Sequence, residues 1–178
     1  MSNLEKRIEI LTKAELRNVL KRLTAEILEK IDKPQNLILM GIPTRGVNLS
    51  EVIALEISKK IGYEVEKGII DPTFYRDDQS KVGTKSIKVD SIPSSLDEKE
   101  IILIDDVIYT GRTARAAMEA LNFWGRPKKV KLLTMIDRGH RELPIQPDFC
   151  GKFISTKKDQ NIELRLKSLD EIEGVFLV

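Results

Sequence analysis

Four consecutive apolar residues, Ile101-Ile102-Leu103-Ile104, run without interruption into Asp105-Asp106. A β-branched run of that length ended by polar residues has the pattern of a strand buried on both faces, and such strands belong mostly to parallel sheets. Parallel neighbours need crossover connections, so helical segments should alternate with strands. The chain supplies them. Thr110-Gly111-Arg112-Thr113 leads into Ala114 to Leu121, a run of strong helix formers closed by Gly125 and Pro127. Thr12-Lys13-Ala14-Glu15 is a capping box ahead of apolar positions Leu16, Val19, Leu20, Leu23, Ile27 and Ile31, spaced three or four apart. Asn36 to Met40 reads as a strand, Val47 to Ile61 as a helix ended by Gly62, and Val65 to Ile70 and Lys129 to Ile136 as further strands. Weaker strand signals lie at Lys152 to Ile154, Ile162 to Leu166 and Val175 to Val178. The expected fold is α/β, a mostly parallel twisted sheet flanked by helices.

In such a sheet, ligands bind outside the C-terminal ends of the strands, where this reading places Asp105 and Asp106. The helix expected a few residues later begins with unpaired backbone N–H groups and the positive end of its dipole, a seat for a phosphate helped by Thr110, Gly111 and Thr113. One anion cannot satisfy both features. A phosphorylated sugar can, with vicinal hydroxyls donating to the carboxylates and the phosphate on the turn. Ordinary capping explains the threonines and glycine alone, and an acidic pair at a strand end can bind metal as in receiver domains, but there the pair follows the first strand and no phosphate turn comes after it. The GxxxxGK[ST] phosphate loop occurs nowhere in the chain.

The turn Gly41-Ile42-Pro43-Thr44-Arg45-Gly46 follows the first strand of this reading on the same edge, and its guanidinium suits a pyrophosphate oxygen. Arg76 to Asp97 is polar and turn-rich, either a lid loop or a surface insertion, with a short hairpin at Lys81 to Val89. With 178 residues, 41% hydrophobic, and no linker or repeat, the chain reads as one domain, 1–178. The start MSNLEKRIEI has no apolar signal-peptide core and no run approaches a membrane span, so a cytoplasmic protein is expected. One cysteine, Cys150, and one histidine, His140, exclude an internal disulfide and a Cys/His zinc site built by this chain alone; Cys150 reads as a small core residue. A formal charge of +2 is too mild to announce a nucleic-acid protein.

The segment IILIDDVIYTGRT resembles the thirteen-residue phosphoribosyl diphosphate motif of type I phosphoribosyltransferases. With GIPTRG, DPTFYRDD (Asp71 to Asp78) and GRPKKVKLLTMIDRGHRELPIQPDF (Gly125 to Phe149), the resemblance extends over essentially the whole chain to the pyrimidine operon attenuator/uracil phosphoribosyltransferase family, PyrR. It implies a type I phosphoribosyltransferase fold with a flexible lid loop at about 76–97 and a small hood built from the N-terminal and 137–178 regions. It implies Mg²⁺-dependent conversion of uracil and phosphoribosyl diphosphate to UMP and pyrophosphate. Asp105, Asp106 and Arg45 would be catalytic. Asp105, Asp106, Thr110, Gly111, Arg112 and Thr113 would hold ribose and 5′-phosphate, and Thr44, Arg45, Gly46 and Arg76 the pyrophosphate. Mg²⁺ would be held mainly through the substrate, with Asp105 a candidate ligand. The Met135 to Arg141 region would cover the base, with Tyr109, Asp137, Arg138 and Gly139 nearest. His140 is either a member of that hood or a solvated loop residue. Where hypoxanthine-guanine phosphoribosyltransferases generally bear an aspartate aimed at the purine, this chain has Tyr109, which lowers the purine alternative.

The same resemblance implies a UMP-responsive RNA-binding attenuator acting on pyrimidine-operon leader mRNA, with Lys21, Arg22, Arg141 and Lys152 as candidate contacts. Here the chain departs from the pattern, with Lys21-Arg22 and Ala25 where attenuators carry Thr-Arg and a histidine, and Gln146 in place of an arginine. An enzyme alone, and an RNA-binding regulator with little catalysis, therefore stay open. Association as a homodimer or higher homo-oligomer is implied too, with Phe123 and Trp124 either at an interface or in the core.

Overall fold

The computed structural model describes residues 7–77, 90–167 and 169–178. Its elements are β1 (Ile8–Leu11), α1 (Lys13–Lys30), β2 (Leu37–Gly41), α2 (Arg45–Ile61), β3 (Glu66–Ile69), β4 (Glu100–Ile108), α3 (Arg112–Trp124), β5 (Lys129–Asp137), β6 (Phe149–Phe153), β7 (Ile162–Arg165) and β8 (Gly174–Leu177), with short 3₁₀ turns at Pro34–Asn36 and Thr73–Tyr75. Five strands form a sheet in the order β3-β2-β4-β5-β6, every pair parallel. The other three form an antiparallel sheet in the order β1-β8-β7. The hairpin expected at Lys81 to Val89, and most of the proposed lid, lie outside the described residues.

Both faces of the parallel sheet are covered, as the unbroken apolar strands require. On one face Leu39, Ile102, Ile104, Leu133 and Met135 meet Leu16, Leu20 and Leu23 of α1 and Leu49, Ile53 and Ile57 of α2. On the other, Ile38, Met40, Ile101, Leu103 and Leu132 meet Ala114, Ala117, Ala120 and Leu121 of α3, whose small residues let the helix lie close. Burying each large aliphatic side chain contributes about 1.5–3 kcal/mol. Among the described residues no helix is long and apolar enough to cross a membrane.

The capping box forms as its spacing predicts: the Glu15 N–H donates to Thr12 Oγ1 at 3.3 Å and the Thr12 N–H to the Glu15 carboxylate at 2.8 Å. Gly62 ends α2 in the left-handed region at φ 84°, its N–H donating to Ser58 O at 2.9 Å.

Several local expectations need correction. Strand β4 does not stop at Ile104. Its pairing with β2 ends there, opposite Gly41, but β5 continues to pair with it at Asp105↔Thr134, Val107↔Ile136 and Ile108↔Asp137. Helix α3 starts at Arg112 rather than Ala114, directly after Gly111 at φ 91°. Strand β1 carries little signal, and its partner among the described residues is β8, at the far end of the chain. Phe123 and Trp124 are 74% and 43% exposed, hence outside the core, and the Trp124 indole N–H donates to Asp90 at 2.8 Å. Cys150 is only partly buried, on the outermost strand β6.

Candidate active site

Strand β4 delivers Asp105 and Asp106 just where β2 ceases to flank it, so the carboxylates stand at the ligand edge of the sheet. Their local geometry is fixed by the backbone: the Asp106 N–H donates to Asp105 Oδ1 and the Val107 N–H to Asp106 Oδ1, both at 2.9 Å. Burial pushes the Asp105 carboxyl well above the usual carboxylate range, and the neighbouring Asp106 charge adds in the same direction.

Asp105 shares a cavity of about 320 Å³ with Arg76, Tyr109, Thr110, Gly111, Arg112, Thr113, Thr134 and Glu142. Gly111 turns the chain into α3, so the first N–H groups of that helix lie at the cavity wall. The Thr110 hydroxyl accepts from the Arg112 N–H at 3.3 Å, and Arg76 donates to Thr113 Oγ1 at 2.7 Å. The Arg112 guanidinium is clamped between Glu142 at 2.9 Å and Asp77 at 2.6 Å, and the Glu142 bond in the first place holds its pKa above the ordinary arginine value.

The turn after β2 lies against the same stretch of β4, since the Ile42 N–H donates to Ile104 O at 2.9 Å. Thr44 precedes the first turn of α2 and follows a cis peptide from Pro43. At Gly46 only hydrogen fits: a Cβ would collide with the Ile104 carbonyl and stand 3.2 Å from Asp105 Cα. This contact sets the N-terminus of α2 beside the aspartates. Arg45, however, is engaged by Asp170, at 2.6 Å to Oδ2 and 3.3 Å to Oδ1.

The residues expected around the base come together at the end of β5. Asp137 accepts from the Gly139 N–H at 2.9 Å and from Arg141 at 2.6 Å. Arg138 is 6% exposed and stacks its guanidinium 4.3 Å above the Tyr109 ring. It also bonds Thr156 at 3.2 Å, Asn161 at 3.3 Å and the carbonyls of Lys157 and Gln160. His140 is not a solvated loop residue. Its Nε2 lies 2.6 Å from the Thr156 carbonyl, which makes that nitrogen the protonated one, and its ring meets Tyr109 edge-on at 5.7 Å.

Of the candidate RNA contacts, Lys21, Arg22 and Lys152 are exposed. Arg22, its side chain 46% exposed, also ties α1 to β6, donating to the Gly151 and Cys150 carbonyls and pairing with Glu26. Arg141 is an internal brace, bonded to Asp137, to Tyr109 O at 2.9 Å and to Ile145 O at 2.8 Å.

Residue-by-residue reading did not single out Asp170, Thr134, Thr156, Asp77 or Glu142. Thr134, Asp77 and Glu142 fall inside segments noted for other residues, whereas Asp170 reaches Arg45 across 125 positions and carries no local signal.

The phosphoribosyl transferase domain model matches residues 8–168. A bifunctional protein PyrR from Microcystis aeruginosa is 46% identical over 171 residues, covering 96% of this chain and 97% of the relative, and one from Picosynechococcus sp. is 46% identical with the same coverage. Among solved structures, a hypoxanthine-guanine phosphoribosyltransferase from Bacillus anthracis superposes with a TM-score of 0.70 at 18% identity, covering 98% of this chain and 99% of that one, a likeness of fold. On the strength of the domain match and of relatives aligned along almost their whole length, the chain belongs to the phosphoribosyltransferase family, in its PyrR branch.

Proposed function

We propose that the protein transfers the phosphoribosyl group of phosphoribosyl diphosphate to uracil, giving UMP and pyrophosphate. The observation that carries this reading is the convergence, on one cavity of about 320 Å³, of Asp105 with the N-terminal turn of α3 and Arg76. The backbone N–H groups and hydroxyls of Thr110 to Thr113 hold the 5′-phosphate, whose binding energy positions the reacting carbon. Asp105 and Asp106 accept hydrogen bonds from the ribose hydroxyls and favour the positive charge that develops on the sugar as the C1–O bond to pyrophosphate breaks. Arg45 and Arg76 face the departing negative charge. The base attacks C1 through a ring nitrogen, so no covalent enzyme intermediate is required.

The side chains suit Mg²⁺ brought with the substrate. Among the described residues no cluster of three His, Cys, Asp or Glu side chains could cage a metal, and Mg²⁺ commonly binds through one or two carboxylates plus substrate phosphates. Asp105 and Asp106 would hold it, and when bound it neutralises charge on the leaving pyrophosphate. The three-stranded sheet and the Asp137 to Arg141 turn act as the hood. Tyr109, enclosed by Arg138 and His140, supports a pyrimidine because it fills with an aromatic ring the position from which purine enzymes of this fold extend a carboxylate.

The test is base selection by the purified protein with Mg²⁺ and phosphoribosyl diphosphate. Uracil should be converted with a kcat/KM at least about a hundredfold above that for hypoxanthine, the discrimination available when buried polar groups are left unpaired by the wrong ligand. Equal or better use of hypoxanthine would place the enzyme in the purine class.

The relatives' designation as bifunctional supports a second activity, binding of pyrimidine-operon leader RNA under control of UMP. With Arg141 committed to internal bonds, the exposed Lys21, Arg22 and Lys152 are the candidate surface cations for phosphate contacts.

A further inference from the structure

We propose that Asp170 is a positioning residue for phosphoribosyl transfer, holding the Arg45 guanidinium in the orientation in which it receives pyrophosphate. The inference rests on the assignment of the Thr44-Arg45-Gly46 turn to pyrophosphate. An arginine on a flexible stem must be oriented before its planar fork can bind an anion, and the ordering is most effective when done in advance by the protein. Asp170 does this with both carboxylate oxygens, at 2.6 and 3.3 Å from the two terminal nitrogens.

The carboxylate is itself held. Asp170 Oδ2 accepts from the Leu166 N–H at 2.9 Å and the Asp170 N–H donates to the Leu166 carbonyl at 2.8 Å. Leu166 is buried in the core at 4% exposure, which anchors the turn between β7 and β8. The pair is enclosed, with side-chain exposures of 29% for Arg45 and 15% for Asp170, so solvent screens it less than an ordinary surface ion pair. A guanidinium has five N–H donors. Asp170 engages two of its nitrogens, which orients the fork without exhausting it. The bond also clamps the C-terminal sheet to the pyrophosphate turn, joining segments 125 residues apart.

A competing possibility is that Asp170 occupies Arg45 at the expense of pyrophosphate, and the two ideas predict opposite signs. Steady-state kinetics with uracil, phosphoribosyl diphosphate and Mg²⁺ should compare wild type, Asp170→Asn, Arg45→Ala and the double variant. Pyrophosphate inhibition and UMP binding are measured in parallel, and folding is checked by circular dichroism. Positioning predicts that Asp170→Asn raises KM for phosphoribosyl diphosphate about tenfold and weakens pyrophosphate inhibition by a similar factor while UMP affinity stays put. It predicts little further effect in the Arg45→Ala background, because the residue acts through Arg45. Asp170→Glu should recover part of the loss, and it replaces the asparagine variant, with the same kinetic split expected, if that one does not fold. Tighter pyrophosphate binding, an equal fall in UMP affinity, unchanged kinetics, or losses that multiply with those of Arg45→Ala would each overturn the proposal. An inactive wild type would instead count against the proposed reaction, whereas an active wild type with an unaffected variant removes only the role of Asp170.

Discussion

Asp105 sits in the site at a cost to the fold. Burial raises its pKa above that of the unfolded chain, so the folded state favours the protonated carboxyl. The linkage sign follows: this contribution is fully present below the unfolded pKa, near 4, and is lost as pH rises through the higher folded value. Above the unfolded pKa, keeping this carboxyl in place therefore opposes folding, whether by its charge or by the proton it must take up. Asp105→Asn should raise the melting temperature at pH 7 by about 2–4 °C, the shift that ~1 kcal/mol produces in a chain of this size, and the gain should shrink as pH is lowered toward 4. Differential scanning calorimetry from pH 4 to 8 checks this, and a lower melting temperature at pH 7 would contradict it. At this scale the sequence exposed the chemistry-bearing residues whose neighbours are local, such as Asp105, Asp106 and Thr110 to Thr113. It concealed those whose partners are remote: Arg141 looks like a surface cation until its Tyr109 contact is seen, and nothing local to the exposed Arg22 announces its bond to the Gly151 carbonyl.

Among elements, the helix starts divide into structural and functional ones. The capping box of α1 lies away from the cavity lining, so Thr12→Ala should cost about 1 kcal/mol of stability with kcat unchanged. Gly46→Ala should do the reverse in kind. The added methyl has no room beside the Ile104 carbonyl, so α2 must shift off β4 and carry Arg45 with it. Turnover should fall about a hundredfold, the loss expected for misplacement of about 1 Å, and thermal melts paired with turnover separate the two effects. A Gly46→Ala enzyme of normal kcat would show that the close approach is not needed. The elements themselves were legible wherever periodicity or punctuation was local, as in the Thr12 box and the Gly62 stop. Strand β4 was read four residues short because the continuation through Asp105 and Asp106 depends on β5, a partner that lies beyond α3 in the chain. Strand β1 escapes the sequence for the same reason, its partner among the described residues being β8.

For the whole molecule, a formal charge of +2 and exposed Lys21, Arg22 and Lys152 describe a surface suited to few phosphate contacts. Binding of a leader stem-loop should then show a log–log salt slope of about −1.4 to −2.1, from two or three contacts at about −0.7 each, should be tightened by UMP and weakened by Lys21→Ala. Fluorescence titration at several salt concentrations measures this, and binding no better than to a scrambled RNA would leave an enzyme alone. The parallel sheet brings the β4 carboxylates, the α3 turn and the α2 turn to one edge, and phosphoribosyl transfer is what that assembly is proposed to perform. The most direct measurement is the rate of Mg²⁺-dependent UMP formation from uracil and phosphoribosyl diphosphate by the wild type, Asp105→Asn and Asp106→Asn. Turnover by the wild type, reduced roughly ten- to a thousandfold in each variant, is the predicted result. Full activity in both variants, or no UMP from the wild type, would contradict it.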